Sequence, residues 1–258
     1  MRDKAATILT GQQIYEYRQK GYIILPKVFD VGSVKAWRTE CDRLLRLGLE
    51  DEHNLRTIIR PDLTGKKLVE RFDPVLDLSP LFKNLSTDER IVGPLRELYQ
   101  DDMLLFKDKI IFKLPGAMGY PMHQDYSWWQ RFPRELVNVL IAIDSSDETN
   151  GAIELISGYH DHLLSTPGEI RQMSDDEAKQ IDGRNAQTIG VKAGDVLIFD
   201  CLTPHRSGPN ESNRPRRHLY LTYSAGKYGD LYQDQFKYYI QTYLSRSSGA
   251  TKHLMFFR

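Results

Sequence analysis

Residues Met103 to Asp125 read MLLFKDKIIFKLPGAMGYPMHQD, and this stretch decides the fold class. Met103 to Leu114 is rich in apolar, β-branched and aromatic residues, which predicts a strand. Pro115-Gly116 turns the chain. His123-Gln124-Asp125 closes the stretch. Residues two apart on a strand share a face, so His123 and Asp125 are expected to project together. Downstream, short apolar runs recur between Gly-rich turns, at Val137–Ile143, Ala152–Ile156, Thr188–Val191, Val196–Asp200 and His218–Ser224. Each predicts a strand, and Ser174–Ile181 predicts a helix between two of them.

Upstream the signals are helical. Thr10 and the segment Gln12–Tyr17 predict a capped first helix that Gly21 ends. Tyr22–Pro26 reads as a short strand. Val34, Trp37, Cys41, Leu44 and Leu45 recur at helical spacing over Val31–Leu47, with Gly48 as terminator. Residues 49–85 mix charge, Pro and Gly and predict loops and short elements. Ser86–Tyr99 predicts a helix with Pro94 as a kink. The order is helices first and strands after. It predicts a mainly β fold with flanking α, a barrel or two-sheet jelly roll buttressed by N-terminal helices. A single domain is expected, with mostly helical support over 1–100, a β core over 101–225 and a helical tail over 226–258, packed outside.

The chemistry starts from His123 and Asp125. His205 follows the apolar strand Val196–Phe199 and is expected to arrive from across the barrel. Two imidazoles and one carboxylate are the ligand set of non-haem iron(II) oxygenases, which leaves positions open for substrate and O₂. A His-x-Asp pair alone is a weak motif. Its β-rich setting, the distal His205 and the cluster Arg214, Arg216, Arg217 strengthen it.

Lys107–Gly116, His123–Asp125, Gly194–Asp200, His205–Asn210 and Arg216–Tyr223 together resemble the phytanoyl-CoA dioxygenase family. The resemblance implies a double-stranded β-helix and dependence on Fe(II), 2-oxoglutarate and O₂, with hydroxylation of a small or medium-sized metabolite. It implies His123, Asp125 and His205 as metal and catalytic residues. It implies Arg216, aided by Ser207, as the clamp on the far carboxylate of 2-oxoglutarate; a guanidinium fork suits that role. Asp125 argues against halogenation, since halogenating relatives carry a small residue there. The family pattern has an Asn near Ile111, so its replacement implies an altered pocket. Desaturation, cyclisation, a non-enzymatic cupin-like binder and a structural zinc site are the alternatives.

On a strand, Arg216 and Arg217 face opposite ways; Arg216 is expected inward and Arg217 as a solvated surface charge. Lys107 and Lys109 share a face, and either bind 2-oxoglutarate or an anionic substrate or decorate an exposed strand. Asn138 either bonds cosubstrate or satisfies a core backbone group. Tyr126, Trp128 and Trp129 either pack the core over the barrel mouth or wall a substrate pocket, one suited to a cation if the substrate carries an ammonium group; Tyr120 joins them. Gly116 and Gly119 are read as hinges of a lid. His160-Asp161-His162 is read as a turn, and His53, His218 and His253 as surface or strand residues.

The 258 residues carry 35 basic and 35 acidic side chains, which disfavours nucleic acid or anionic membranes as partners. Amino acids, aminophosphonates, quaternary amines and secondary metabolites are the expected substrate classes. An acyl-CoA is disfavoured because no basic patch suits its phosphates. Cys41 and Cys201 are expected as reduced, buried thiols. No signal core and no membrane span appear. A cytoplasmic monomer or homodimer is expected.

Overall fold

Thr10 caps the first helix, α1 (Gly11–Lys20), through a reciprocal box with Gln13. Gly21 ends it in the left-handed region at φ 80°. The computed structural model describes residues 8–50, 56–169 and 171–244. His53 and His253 lie outside them. After α1 come β1 (Tyr22–Leu25) and α2 (Val31–Glu50), whose buried Val34, Trp37, Cys41 and Leu44 match the expected stripe. Gly48 does not stop α2. It lies buried within the helix, where a Cβ would stand 2.9 Å from the Phe72 ring.

The expected loops of residues 49–85 contain two strands, β2 (Thr57–Pro61) and β3 (Lys67–Phe72), paired antiparallel. The first hundred residues are therefore not mostly helical support alone. This hairpin extends the main sheet through pairing of β3 with β4 (Met103–Lys113). A short α3 (Pro80–Lys83) precedes α4 (Glu89–Tyr99). Asp88 caps α4, so the helix starts after Ser86, and it runs on through buried Pro94.

The remaining elements are β5 (Tyr120–His123), β6 (Leu136–Ala142), β7 (Ile153–Ile156), α5 (Asp175–Ala178), β8 (Ala186–Ile189), β9 (Val196–Asp200), β10 (His205–Ser207), β11 (Arg216–Ala225) and α6 (Tyr232–Tyr239). They form a seven-stranded sheet, β1-β9-β6-β11-β4-β3-β2, and a four-stranded sheet, β5-β10-β7-β8. All pairings are antiparallel.

Period-two alternation sorts each strand's side chains between two cores. Val137, Val139 and Ile141 of β6, with Leu219, Leu221 and Tyr223 of β11, face the helices and pack on Trp37, Leu44, Phe82 and Ile91. Leu140, Ala142, Ile111, Leu197 and Phe199 face the small sheet and pack on Ile153, Leu155 and Ile189. The site lies on this inner side. Cys41 and Cys201 are buried and unbridged, and burial pushes both thiols up.

Helix α6 packs against β4, and Tyr239 at its end lines a cavity of about 350 Å³. The tail is thus a wall of the site as well as an outer layer. Asp108 holds this corner. Its fully buried carboxylate accepts the Val75 and Leu76 N–H groups at 2.6 and 2.9 Å and the Tyr232 hydroxyl at 2.6 Å. Asp108→Ala strands three buried donors and is expected to cost about 3 kcal/mol. The urea midpoint measures it; a change under about 0.5 kcal/mol would be that of an ordinary surface position.

Candidate metal centre

His123 ends β5, and Asp125 opens the single 3₁₀ turn that follows it. Asp125 is therefore not on the strand; the turn, rather than the pleat, brings it beside His123. His205 opens β10 and is the direct cross-strand partner of His123, with ring centroids 4.1 Å apart. The expectation that it crosses the barrel is corrected: both imidazoles come from neighbouring strands of the small sheet. His123 Nε2 stands 3.6 Å from Asp125 Oδ1, and His205 Nε2 stands 3.8 Å from Asp125 Oδ2. The three ligand atoms lie within 4.8 Å of one another, the one such group of three among the described residues.

Backbone carbonyls set the tautomers. His123 Nδ1 lies 2.8 Å from the Pro121 carbonyl, and His205 Nδ1 lies 2.9 Å from the Thr203 carbonyl. Each Nδ1–H donates there, which leaves each Nε2 lone pair for a metal. Burial favours the neutral rings: it pushes His123 down to about 3 and lowers His205 as well. Burial alone would raise Asp125, but the Lys109 ammonium, the two imidazoles and the Asn138 amide hold it well below the usual carboxylate range. The donor set is two neutral nitrogens and one carboxylate, which fits a divalent iron.

Asn138 answers one open question. Its Nδ2 donates to Asp125 Oδ2 at 2.7 Å and its Oδ1 accepts from Thr222 Oγ1 at 2.7 Å. The amide thus links the Asp125 carboxylate to the Thr222 hydroxyl and orients that carboxylate. Asn138→Ala is expected to lower iron(II) affinity and kcat/KM about ten- to a hundredfold. Anaerobic calorimetry and steady-state rates check this, and unchanged values would free Asp125 from its support. Gln124, between the ligands, points the other way and is fully buried. It donates to the Leu202 and His162 carbonyls and accepts the Leu164 N–H, pinning the turn beneath the triad.

A cavity of about 60 Å³ adjoins the triad, lined by Ile111, Ile153, Ser207, Arg216 and Tyr220 among others. Arg216 is 1% exposed. Its Nη1 donates to the Gly151 carbonyl at 2.7 Å, and its buried Nε has no partner. Lys113, paired with Arg216 across β4 and β11, donates to Ser207 Oγ at 2.8 Å and to the Gly208 carbonyl. Burial and the Arg216 charge push Lys113 down to about 6. Among the described residues neither cation has a carboxylate in ion-pair contact. A buried guanidinium without a counterion fits a carboxylate ligand, and such a ligand would favour the charged form of Lys113 beside it. Lys113 went unnoticed in the sequence because its spacing from Ser207 has no local signature.

Arg217 points to the other face of β11, as alternation requires, but it is not a solvated charge. It is buried and pairs with Asp144 at 2.6 Å and Asp42 at 2.9 Å. Arg214 lies outside the cavity, paired with Asp147.

A larger cavity, about 350 Å³, also borders the triad at His123 and Asp125. Lys107, Lys109, Tyr120, Trp128 and Trp129 line it, as do Arg60, Arg71, Asp73, Arg171 and Tyr239. Lys107 is no exposed strand residue; it is buried on Asp73. Trp128 meets His123 edge to face at 5.4 Å. Tyr126 is not a lining residue. It packs with Phe106 and Trp129 and donates its hydroxyl to the Phe132 carbonyl at 3.0 Å. Gly119 is a close approach rather than a hinge: a Cβ there would stand 2.4 Å from the Ser207 carbonyl oxygen. Arg60 and Arg71 escaped the sequence reading because they ride on the unforeseen β2–β3 hairpin. His160 and His162 lie in a turn, and His218 is a buried residue of β11.

A family model described as phytanoyl-CoA dioxygenase matches residues 17–218. The methylphosphonate hydroxylase of Gimesia maris is 28% identical over 236 residues, covering 89% of this chain and 86% of the relative. A 2-aminoethylphosphonate dioxygenase from an uncultured bacterium is 30% identical over 175 residues, covering 67% and 66%. Iron-bound EctD from S. alaskensis superposes with a TM-score of 0.76 at 19% identity, over 87% of this chain and 80% of that one. That likeness supports the double-stranded β-helix expected for the two sheets. No helix among the described residues is long and apolar enough to cross a membrane. The chain belongs to the phytanoyl-CoA dioxygenase family and is an iron(II)- and 2-oxoglutarate-dependent dioxygenase.

Proposed function

We propose that His123, Asp125 and His205 hold iron(II), that Arg216, Ser207 and Lys113 hold the far carboxylate of 2-oxoglutarate, and that a small polar metabolite is hydroxylated in the larger cavity. The observation that carries this reading is the adjacency of a neutral-His₂/carboxylate triad to a pocket lined by Ser207 and by the buried Arg216 guanidinium, which has no carboxylate partner among the described residues. Iron(II), 2-oxoglutarate and O₂ together supply the oxidation, which yields succinate, CO₂ and a hydroxylated carbon. The protein's own part is ligation, orientation and exclusion of water. Asn138 fixes the Asp125 carboxylate so that its oxygens face the two Nε2 atoms. The Pro121 and Thr203 carbonyls keep both rings turned. Trp128 and Tyr239 wall the larger cavity and limit water at the reacting carbon.

The relatives' names make methylphosphonate, 2-aminoethylphosphonate and ectoine the first compounds to screen. The test is succinate release from 2-oxoglutarate with iron(II) and ascorbate, alone and with each compound. Release that rises with one compound, with a product heavier by one oxygen, is expected. A purified protein that neither binds 2-oxoglutarate nor releases succinate would refute the reading.

A further inference from the structure

The wall of the larger cavity carries an excess of positive charge. Arg60, Arg71, Lys107 and Lys109 line it. Glu70 pairs with Arg60 at 2.6 Å and Arg71 at 2.8 Å. Asp73 pairs with Lys107 and stands 3.8 Å from Arg71 Nε. Three cations, Arg60, Arg71 and Lys107, therefore share two carboxylates, and Lys109 has only the charge of the triad's own Asp125 nearby. Arg171, on another part of the rim, is satisfied by Glu169 and Glu177.

Lys109 is the group left over. Among the described residues its ammonium has no hydrogen bond and no carboxylate at ion-pair distance. Its nearest aromatic neighbour is the Tyr220 ring, 5.3 Å away. Arg71 is paired with Glu70 and stands at ion-pair distance from Asp73, but its buried Nε has no hydrogen-bond partner. Both residues line the larger cavity and the smaller one, so both stand at the junction beside the triad. The Asp125 carboxylate is the countercharge nearest Lys109, and once it is committed to a metal a ligand oxyanion would stabilise the half-buried ammonium through charge-assisted bonds.

We propose that the substrate carries an oxyanion of the phosphonate or carboxylate type, which docks on Lys109 and Arg71 and presents a neighbouring C–H bond to the triad. This rests on the dioxygenase reading above and narrows its substrate class. It also decides against an ammonium group as the anchoring end. Such a group would meet the Lys109 and Arg71 charges on its way to the Trp128 face.

The test uses protein saturated with iron(II) and 2-oxoglutarate under anaerobic conditions, titrated calorimetrically. The probes are ethylphosphonate, propanoate, propanamide and ethyltrimethylammonium. At least one of the two oxyanions is expected to bind, and the amide and the cation are not. The tighter oxyanion names the source, phosphonate or carboxylate. Lys109→Met is expected to weaken oxyanion binding about ten- to a hundredfold, and Lys109→Arg to restore most of it. The affinity of Lys109→Met for 2-oxoglutarate, measured separately, is expected to fall by less. Preference for the cation or the amide would overturn the subsite. So would oxyanion binding that survives Lys109→Met, or an equal loss of 2-oxoglutarate affinity. A wild-type protein that binds 2-oxoglutarate but no oxyanion overturns it too. Failure to bind 2-oxoglutarate at all would instead bring down the dioxygenase reading beneath it.

Discussion

Asp125→Ala is expected to abolish substrate-stimulated succinate release and to weaken iron(II) binding by more than about a hundredfold, beyond what loss of an outer-shell support costs. Asp125 is the one negative ligand of the triad. Without it, two neutral imidazoles face a dication with the Lys109 ammonium close by, and that charge repels the metal once the carboxylate is gone. Asn138 would also lose its acceptor. The side chain is buried, so folding must be checked by the urea midpoint. A folded variant that still binds iron tightly, or still turns over, would refute the ligand assignment.

Arg216→Met is expected to raise the KM for 2-oxoglutarate about a hundredfold or more, because truncating one member of a buried, hydrogen-bonded charge pair is costly. Methionine keeps most of the volume, so the packing around β11 should survive. The neighbouring residue supplies the control. Arg217→Met breaks the buried pair with Asp144 on the helix-facing side. It is expected to cost about 3 kcal/mol of stability while leaving the cosubstrate requirement unchanged. Succinate-release kinetics and urea midpoints on both variants decide. The reverse pattern would mean that β11 faces its two arginines the other way.

The strands of the second half were legible because each is a local pattern. Val196–Asp200 matched residue for residue, and the others differed at their ends by a few positions. The β2–β3 hairpin was not legible. Its residues, such as KLVERF over 67–72, mix charge into the strand and gain order from pairing with β4. That pairing is long-range and leaves little trace nearby. Its loss from the sequence reading also hid Arg60 and Arg71, half of the cavity's cationic wall.

Sequence alone determined that two imidazoles and a carboxylate form a candidate metal triad and that Arg216 and Arg217 face opposite ways. The first follows from the chemistry of imidazole and carboxylate, the second from the two-residue period of a strand. Tertiary structure alone decided that His205 pairs directly with His123, that Asn138 grips Asp125, and that Lys113 lies under Ser207. It alone set Lys109 beside Asp125 and over the Tyr220 ring, with no hydrogen bond of its own among the described residues. These are contacts between residues far apart in the chain, set by strand order and by how two sheets close on each other, and no local period encodes them.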